Sequence, residues 1–156
     1  MPSGANAVAA PVLALLRMWH RVFVYGTLKE GFPNFHINRG RRLPGEFITA
    51  LRYPLFVLGP TFLPWLVQDA GRGHEVKGQV YEVDDGGLAA MDALEQIDEV
   101  GWYHRERIAV RPAAGGDAIE AFVYFGTAGR AATEPVHFGP LSEYTIEHAR
   151  TYIEEH

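Results

Sequence analysis

Two short stretches of this 156-residue chain carry residues whose types and spacing could do chemistry. The first, VFVYGTLKEG at 22–31, is an apolar run that ends in a Gly-Thr turn. The second, GGLAAMDALEQID at 86–98, has the spacing of an amphipathic helix and contains Glu95. Free backbone amides in a turn bind an anion or a developing oxyanion, and a desolvated carboxylate exchanges protons. Together the two stretches favour acid–base chemistry at a carbonyl group.

The Gly-Thr turn has the glycine spacing of a phosphate-binding loop but lacks the residues that such a loop needs. A phosphate loop ends in Gly-Lys-Ser/Thr, whereas Gly31 is followed by Phe-Pro. A carboxylate, or a carbonyl oxygen that becomes negative during reaction, fits the turn better. We therefore expect the backbone amides of residues 26–28 and the Thr27 hydroxyl to be the binding groups. On this interpretation Lys29 is the least necessary residue of the stretch.

Glu95 is the mid-helix charge that falls on the apolar side of the predicted helix. At about 100° per residue, Glu95 lies between Leu88 and Met91. Asp98 falls on the same side but close to the expected end of the helix, so it carries less weight. Desolvation disfavours a charged carboxylate and raises its pKa toward the range of a general acid–base group. In an alternative interpretation Glu95 lies at the rim, where a small rotation of the helix exposes it to water.

Other catalytic groups are scarce in this sequence. There is no Cys, and the only serines are Ser3 and Ser142, so neither a thiolate nor a serine nucleophile is expected. The seven histidines are dispersed, and no two of them have the i, i+4 spacing of a helical zinc site. We expect no metal site, although histidines distant in sequence could still meet in the fold.

Charge, hydropathy and the lack of Cys limit the kinds of partner and the cellular compartment that we expect for this chain. The net charge is −5, and the 14 basic residues are scattered apart from a short cluster at 39–42, so no nucleic-acid surface is expected. The apolar run at 7–16 is too short for a membrane span and contains Pro11. The lack of Cys fits a reducing compartment, and the cytoplasm is therefore the expected location. Residues 1–20 are expected to form a flexible extension, with Met18 as a candidate natural start.

The remaining chain, 21–156, is predicted to be a single domain, because no linker or low-complexity tract divides it. Helices are predicted from Asp84 or Asp85 to Gly101, and from Pro140 to the chain end, while 59–74 is expected to be a long surface loop. Six strands are predicted, which favours a curled sheet or small barrel. These strands are Val22 to Tyr25, Gly45 to Ala50, Leu55 to Leu58, Val76 to Val83, Arg105 to Arg111 and Ile119 to Phe125.

Taken together, VYGTLKEGFPN, GQVYEV leading into AMDALEQID, and WYHRERIAV resemble the gamma-glutamylcyclotransferase-like family. The resemblance covers roughly residues 21–127. The segment LPWLV at 63–67 and the single-Thr form YGTL are most similar to its gamma-glutamylamine cyclotransferase, AIG2-like branch. This resemblance implies an α+β fold, a small mixed β-barrel with flanking helices, in agreement with the predicted strands. The segment QIDEVGWYH departs from animal members, which leaves recognition of the leaving group near Trp102 in doubt.

The resemblance also implies an activity and a site. The family's catalytic glutamate lies in the pattern Leu/Met-Asp-x-x-Glu, which matches Met91, Asp92 and Glu95. The implied reaction is intramolecular: the α-amine of a γ-glutamyl amine attacks its own γ-carbonyl and releases a free amine and 5-oxoproline, without a cofactor. Glu95 would carry the proton as general acid–base. The implied substrate-binding residues are Tyr25, Gly26, Thr27, Leu28, Tyr103 and Tyr124.

Three alternatives stay open at the level of sequence. Tyr103 and Tyr124 could simply pack in the core rather than bind substrate. The chain could be a non-catalytic binding or structural member of the family, although retention of Glu95 argues against this. The same chemistry could also act on another γ-glutamylated metabolite with a different leaving amine. The physiological amine and the oligomeric state do not follow from the sequence.

Overall fold

The computed structural model describes residues 19–153. Over these residues the chain forms nine strands, three α-helices and a short 3-10 helix. The strands are β1 (Trp19–Val24), β2 (Arg41–Arg42), β3 (Phe47–Tyr53), β4 (Leu55–Leu58), β5 (Leu63–Leu66), β6 (His74–Asp84), β7 (Tyr103–Pro112), β8 (Ile119–Gly126) and β9 (Val136–Phe138). The helices are α1 (Asp85–Glu95), α2 (Ala128–Thr133) and α3 (Ile146–Ala149), and the 3-10 helix is Phe35–Ile37. The extension expected at 1–20, with Met18, lies outside the described residues except for the first two residues of β1.

Five of the strands pair in a closed ring. β1 runs antiparallel to β6 and parallel to β8, with Val22 opposite both Tyr81 and Phe122. β8 pairs with β7, β7 with β3, and β3 with β6, which completes the cycle. β2 adds to the side of β6 that also carries β3. The six predicted strands correspond to β1, β3, β4, β6, β7 and β8, and the prediction of a small mixed α+β fold is confirmed.

The second half of strand β1, Val22–Val24, is buried on both of its faces, which explains its continuous apolar sequence. Phe23 packs with the core of the ring, together with Val80 and Val123. Val22 and Val24 point the other way and pack in a second cluster that includes α1. The residues that follow β1 are therefore held between the ring and the helix.

The prediction of a surface loop over 59–74 is wrong, because this segment contains β5. All four residues of Leu63–Leu66 are buried, and they pair antiparallel with β4. β9 pairs with the other edge of β4, which makes a second sheet of three strands. The sequence LPWL lacks the apolar–polar alternation that marks a half-buried strand and contains a proline, so it is read as a loop.

Helix α1 begins where predicted but ends earlier. The Asp84 side chain caps it by accepting from the Gly87 amide at 2.7 Å. The predicted end at Gly101 is wrong, since Gln96 takes a left-handed conformation (φ 54°) and the chain turns away from the helix axis there. Glu95 is consequently the last residue of α1.

The predicted helix from Pro140 to the chain end is also wrong. Only the four residues of α3 are helical, and the last three residues of the prediction lie outside the described part of the chain. The preceding segment is bound to the sheets instead, since the Leu141 amide donates to Leu55 and the Lys77 amide donates to Ser142. These long-range hydrogen bonds override the local preference for helix.

Candidate active site

The end of α1 places Glu95 against one wall of a cavity beside the turn that follows β1. Leu88 and Met91 are buried on the packed face of the helix, so the helix cannot turn about its axis to expose Glu95. The cavity measures about 80 Å³. It is lined by Phe23, Val24, Tyr25, Gly26, Thr27, Leu28, Asn34, Leu63, Pro64, Leu94, Glu95, Gln96, Trp102, Tyr103, Tyr124 and Tyr152. All seven residues that the sequence nominates as site residues therefore meet at one cavity.

The carboxyl group of Glu95 is removed from bulk water. The residue is half-buried and lines the cavity. Burial raises the pKa of Glu95 to about 8. A carboxyl group with this pKa is mainly protonated at neutral pH and still has an accessible ionised fraction, which is the behaviour required of a proton carrier.

Three tyrosines surround this carboxyl group. Burial first, and the negative charge of Glu95 second, raise the pKa of the Tyr25 and Tyr103 hydroxyls. Burial also raises the pKa of Tyr124, with the hydrogen bond to Asp92 and the charge of Glu95 as further causes. All three hydroxyls thus keep their protons at neutral pH.

The hydroxyls of Tyr25 and Tyr103 both donate to backbone carbonyls and so connect neighbouring segments of the cavity wall. Tyr25 donates to the backbone carbonyl of Tyr124 at 2.5 Å, which ties the end of β1 to β8. Tyr103 donates to the carbonyl of Pro64 at 2.6 Å, which ties β7 to β5. The Tyr124 hydroxyl instead donates to a side chain, Asp92, at 2.7 Å.

The turn at 26–29 presents free backbone donors. The Lys29 amide donates to the Gly26 carbonyl at 3.1 Å, which closes the turn. Within residues 19–153, the amides of Gly26, Thr27 and Leu28 donate no hydrogen bond. The Thr27 hydroxyl oxygen accepts from Asn34 at 2.9 Å, so its own proton is still available. This wall of the cavity is therefore a set of hydrogen-bond donors.

Several lining residues were not among those nominated from the sequence. Asn34 is buried and donates to both Thr27 and the Tyr152 hydroxyl, so it links the turn to the C-terminal segment. Asn34 belongs to the GFPN stretch that contributes to the family resemblance, and this resemblance could have indicated it as a site residue. Tyr152 ends the segment EYTIEHARTY, which also resembles members of the family, but nothing local indicates that it folds back onto the turn.

Trp102 lines the cavity, in the segment for which the sequence left recognition of the leaving group in doubt. The guanidinium of Arg130 lies 4.7 Å from the centre of the Trp102 ring and 4.8 Å from that of Trp65. Arg130 is itself held by Glu134 at 2.9 Å. Cation–π contacts of this kind orient an aromatic ring, so Trp102 has a defined position beside Tyr103.

Lys29 is not the dispensable residue that the sequence indicated. It is only 4% exposed, donates to the backbone carbonyl of Tyr144, and lies 4.2 Å from the ring centre of Phe32. Burial lowers the pKa of Lys29 to about 8. Lys29 therefore anchors the segment that carries Tyr152 to the turn, and this is a structural connection rather than a phosphate contact.

The described residues lack both a cluster of metal ligands and a membrane helix. Across residues 19–153, no group of three or more His, Asp and Glu side chains is arranged to hold a metal ion. In the same part of the chain, no helix has the length and apolar character needed to cross a membrane.

The fold and the site define a small α+β protein whose tyrosine-walled cavity encloses one protonatable carboxyl group. The family model described as gamma-glutamyl cyclotransferase, AIG2-like, matches residues 22–143. The chain belongs to this family, and the membership supports cyclotransferase enzyme activity.

Individual relatives agree with this assignment. The chain is 38% identical over 128 residues to the gamma-glutamylaminecyclotransferase of Bos taurus, covering 79% of this chain and 74% of that protein. It is 39% identical over 114 residues to gamma-glutamylaminecyclotransferase B of Danio rerio, covering 68% of this chain and 59% of that protein. The crystal structure of an AIG2-like protein from Mus musculus superposes with a TM-score of 0.67 at 32% identity, covering 83% of this chain and 90% of that one.

Proposed function

We propose that this chain is a cyclotransferase that converts γ-glutamyl amines into 5-oxoproline and a free amine. The observation that carries the proposal is the placement of Glu95, a carboxyl group with a raised pKa, in the same cavity as three free backbone amides. The names of the relatives in cattle and zebrafish support the substrate class.

The reaction balances without a cofactor. The α-nitrogen of the γ-glutamyl group forms a bond to the γ-carbonyl carbon, and the bond from that carbon to the leaving nitrogen breaks. Ionised Glu95 takes a proton from the α-ammonium, which makes the nitrogen nucleophilic, and gives this proton to the leaving nitrogen. Glu95, ionised again, then takes the second proton that the α-nitrogen loses as the lactam forms, and this proton passes to the released amine, which departs as an ammonium ion. Because nucleophile and electrophile belong to one molecule, holding the substrate in a folded conformation supplies much of the rate.

The donor wall of the cavity has a defined role in this proposal. The amides of Gly26, Thr27 and Leu28 bind the glutamyl part of the substrate and stabilise the negative oxygen that develops on the γ-carbonyl carbon. Tyr25, Tyr103 and Tyr124 surround the reacting atoms and exclude water from Glu95. The small cavity accommodates the glutamyl moiety, and the leaving amine extends along the apolar wall formed by Leu63 and Trp102.

The decisive test replaces Glu95 and measures the release of 5-oxoproline from a panel of γ-glutamyl amines and γ-glutamyl amino acids. Glu95→Gln keeps the size of the side chain but removes the proton carrier, so turnover is expected to fall about a hundredfold or more. The matched control is Glu99→Gln, the same change at an exposed position just beyond the helix, which is expected to retain wild-type turnover. Full activity of Glu95→Gln would refute the assignment.

The same panel separates the proposal from a non-catalytic function. A titration of ¹⁵N-labelled protein with 5-oxoproline is expected to shift the amide resonances of Gly26, Thr27 and Leu28. Binding without turnover of any substrate would instead favour a binding member of the family. γ-Glutamyl-lysine is among the substrates to compare.

The compartment that we expect for this activity is the cytoplasm, because the chain has no Cys.

A further inference from the structure

Tyr124 differs from Tyr25 and Tyr103 because its hydroxyl donates to a charged side chain, Asp92, and not to a backbone carbonyl. Arg105 and Tyr124 are directly opposite on the paired strands β7 and β8, so their side chains leave the same face of the sheet. Asp92 comes from α1, one turn before Glu95, and contacts both: one oxygen pairs with Arg105 and the other accepts from Tyr124 at 2.7 Å. The arginine lies 4.6 Å from the ring centre of Phe122, which limits its movement.

The chemistry of these groups decides which way the Tyr124 hydroxyl proton points. Both Asp92 oxygens are acceptors, one from the Arg105 guanidinium and the other from the Tyr124 hydroxyl, so the hydroxyl proton points to Asp92. A phenol has only one proton, and therefore its oxygen can act toward the cavity only as an acceptor. The turn at residues 26–28, which lines the same cavity, carries backbone amides that donate to no other group in the described part of the chain. The cavity is thus polarised, with donors at the turn and an acceptor at Tyr124.

We propose that Asp92, held by Arg105, acts as a positioning residue that makes the Tyr124 hydroxyl an acceptor for the α-amino group of the substrate. This inference rests on the proposed function for the identity of that amino group. The carbonyl side of the substrate then faces the amides of the turn, and its amino side faces Tyr124 and Glu95. The N–H bond held by Tyr124 turns the nitrogen lone pair toward the γ-carbonyl carbon, as ring closure requires.

Asp92→Asn is the variant that reverses this arrangement. Beside the Arg105 guanidinium, the new amide turns its oxygen to the arginine and its NH₂ group to Tyr124. The hydroxyl then accepts from Asn and donates into the cavity, where it opposes the substrate N–H. We expect kcat to fall about tenfold to a hundredfold while KM changes much less. Asp98→Asn makes the same chemical change at an exposed position and is expected to behave as wild type.

A double-mutant cycle separates positioning from a merely structural effect. If Asp92 acts through the Tyr124 hydroxyl, then Asp92→Asn changes kcat less than about twofold in a Tyr124→Phe background. Multiplicative losses in the double variant would overturn the proposal, and so would wild-type kcat in Asp92→Asn. Arg105→Lys, which keeps the positive charge, is expected to retain more activity than Arg105→Met.

A binding experiment tests the same point without turnover. 5-Oxoproline carries the former α-nitrogen as a ring N–H, and its lactone analogue, 5-oxotetrahydrofuran-2-carboxylate, has an oxygen in that place. Wild-type protein is expected to bind 5-oxoproline about tenfold more tightly than the lactone, because the lactone oxygen meets the acceptor Tyr124. Asp92→Asn and Tyr124→Phe are each expected to lose this preference, which is measured by NMR titration with the folded state confirmed in the same spectra.

The two experiments distinguish failure of this inference from failure of the proposed function. If no γ-glutamyl amine is turned over but the preference for N–H exists and depends on Asp92, the proposed reaction fails and the polarity of the cavity stands. If turnover is observed but wild-type protein binds the lactone equally well, the inference fails and the reaction stands. If no γ-glutamyl amine is turned over and neither ligand binds, both fail.

Discussion

Gly26 lies so close to Pro64 that a side chain at position 26 has no room. A Cβ there would stand 2.8 Å from Cγ and 3.2 Å from Cβ of Pro64. Pro64 cannot easily withdraw, because it lies in the buried strand β5 and its carbonyl is held by the Tyr103 hydroxyl. The absence of a side chain at position 26 therefore sets the distance between the donor turn and the opposite wall of the cavity.

Gly26→Ala is accordingly expected to displace the turn and to lower kcat/KM about tenfold to a hundredfold, as small misplacements of reacting groups do. The measurement is the release of 5-oxoproline together with a thermal melt. Gly129→Ala is the control, since a Cβ at Gly129 meets nothing within 4 Å and the helix α2 favours alanine. Unchanged activity in Gly26→Ala would show that the position of the turn is not critical.

The pH dependence of the reaction is expected to follow Glu95. Burial raises the pKa of Glu95 to about 8, and below this pH the group is protonated and cannot accept the α-ammonium proton. We expect kcat/KM to rise with pH and to level off above about 8. Initial rates across this range, in buffers of constant ionic strength, test the expectation. A profile that is already flat between pH 6 and 8 would contradict it.

The contribution of Glu95 to the free energy of unfolding is expected to fall as the pH rises, whereas kcat/KM rises. The pKa of Glu95 is 4.5 in the unfolded chain and about 8 in the folded protein, so the folded state holds more protons between these values. Stability from this group is therefore present below pH 4.5 and is lost as the pH rises through 8. Glu95→Gln, which cannot ionise, is expected to gain stability over wild type progressively across that window.

Denaturant unfolding at several pH values measures this difference. Glu99→Gln, the same substitution at an exposed position, serves as the control for the loss of one glutamate side chain. An offset for Glu95→Gln that does not vary with pH would mean that burial does not shift the titration of Glu95.

The chain has two lysines, Lys29 and Lys77, and a comparison of their variants tests whether Lys29 anchors the C-terminal segment. Lys29→Met removes the hydrogen bond to Tyr144 and leaves a buried carbonyl without its donor, which is expected to cost about 1–3 kcal/mol. Lys77→Met removes an exposed ion pair with Glu143 at 3.7 Å and is expected to change stability by less than about 1 kcal/mol. Equal stabilities of the two variants, measured by chemical unfolding, would contradict the anchoring role.

Sequence periodicity and family resemblance together singled out two segments that depend on local pattern, and the structure brings both to the same cavity. The 3.6-residue repeat of α1 identified Glu95 as a charge on the packed face, and the apolar run of β1 located the turn at 26–28. Both signals lie within short segments, so no knowledge of distant contacts is needed to read them.

The parts that were missed depend on contacts between distant segments. Strand β5 is defined by its pairing with β4 and not by its composition. The segment after Pro140 is extended because Leu55 and Lys77 supply hydrogen-bond partners far away in sequence. The left-handed turn at Gln96, which ends α1 early, occurs at a residue that is not glycine and so carries no sequence signal.

The closed ring of strands has a consequence for folding. β1 meets β8 in a parallel pairing with Val22 opposite Phe122, and pairings between such distant segments are formed slowly. The turn after β1 and Tyr124 on β8 come together through this seam, where Tyr25 donates to the Tyr124 carbonyl. We therefore expect the cavity to form only when this seam closes, so that the appearance of affinity for 5-oxoproline during refolding reports ring closure.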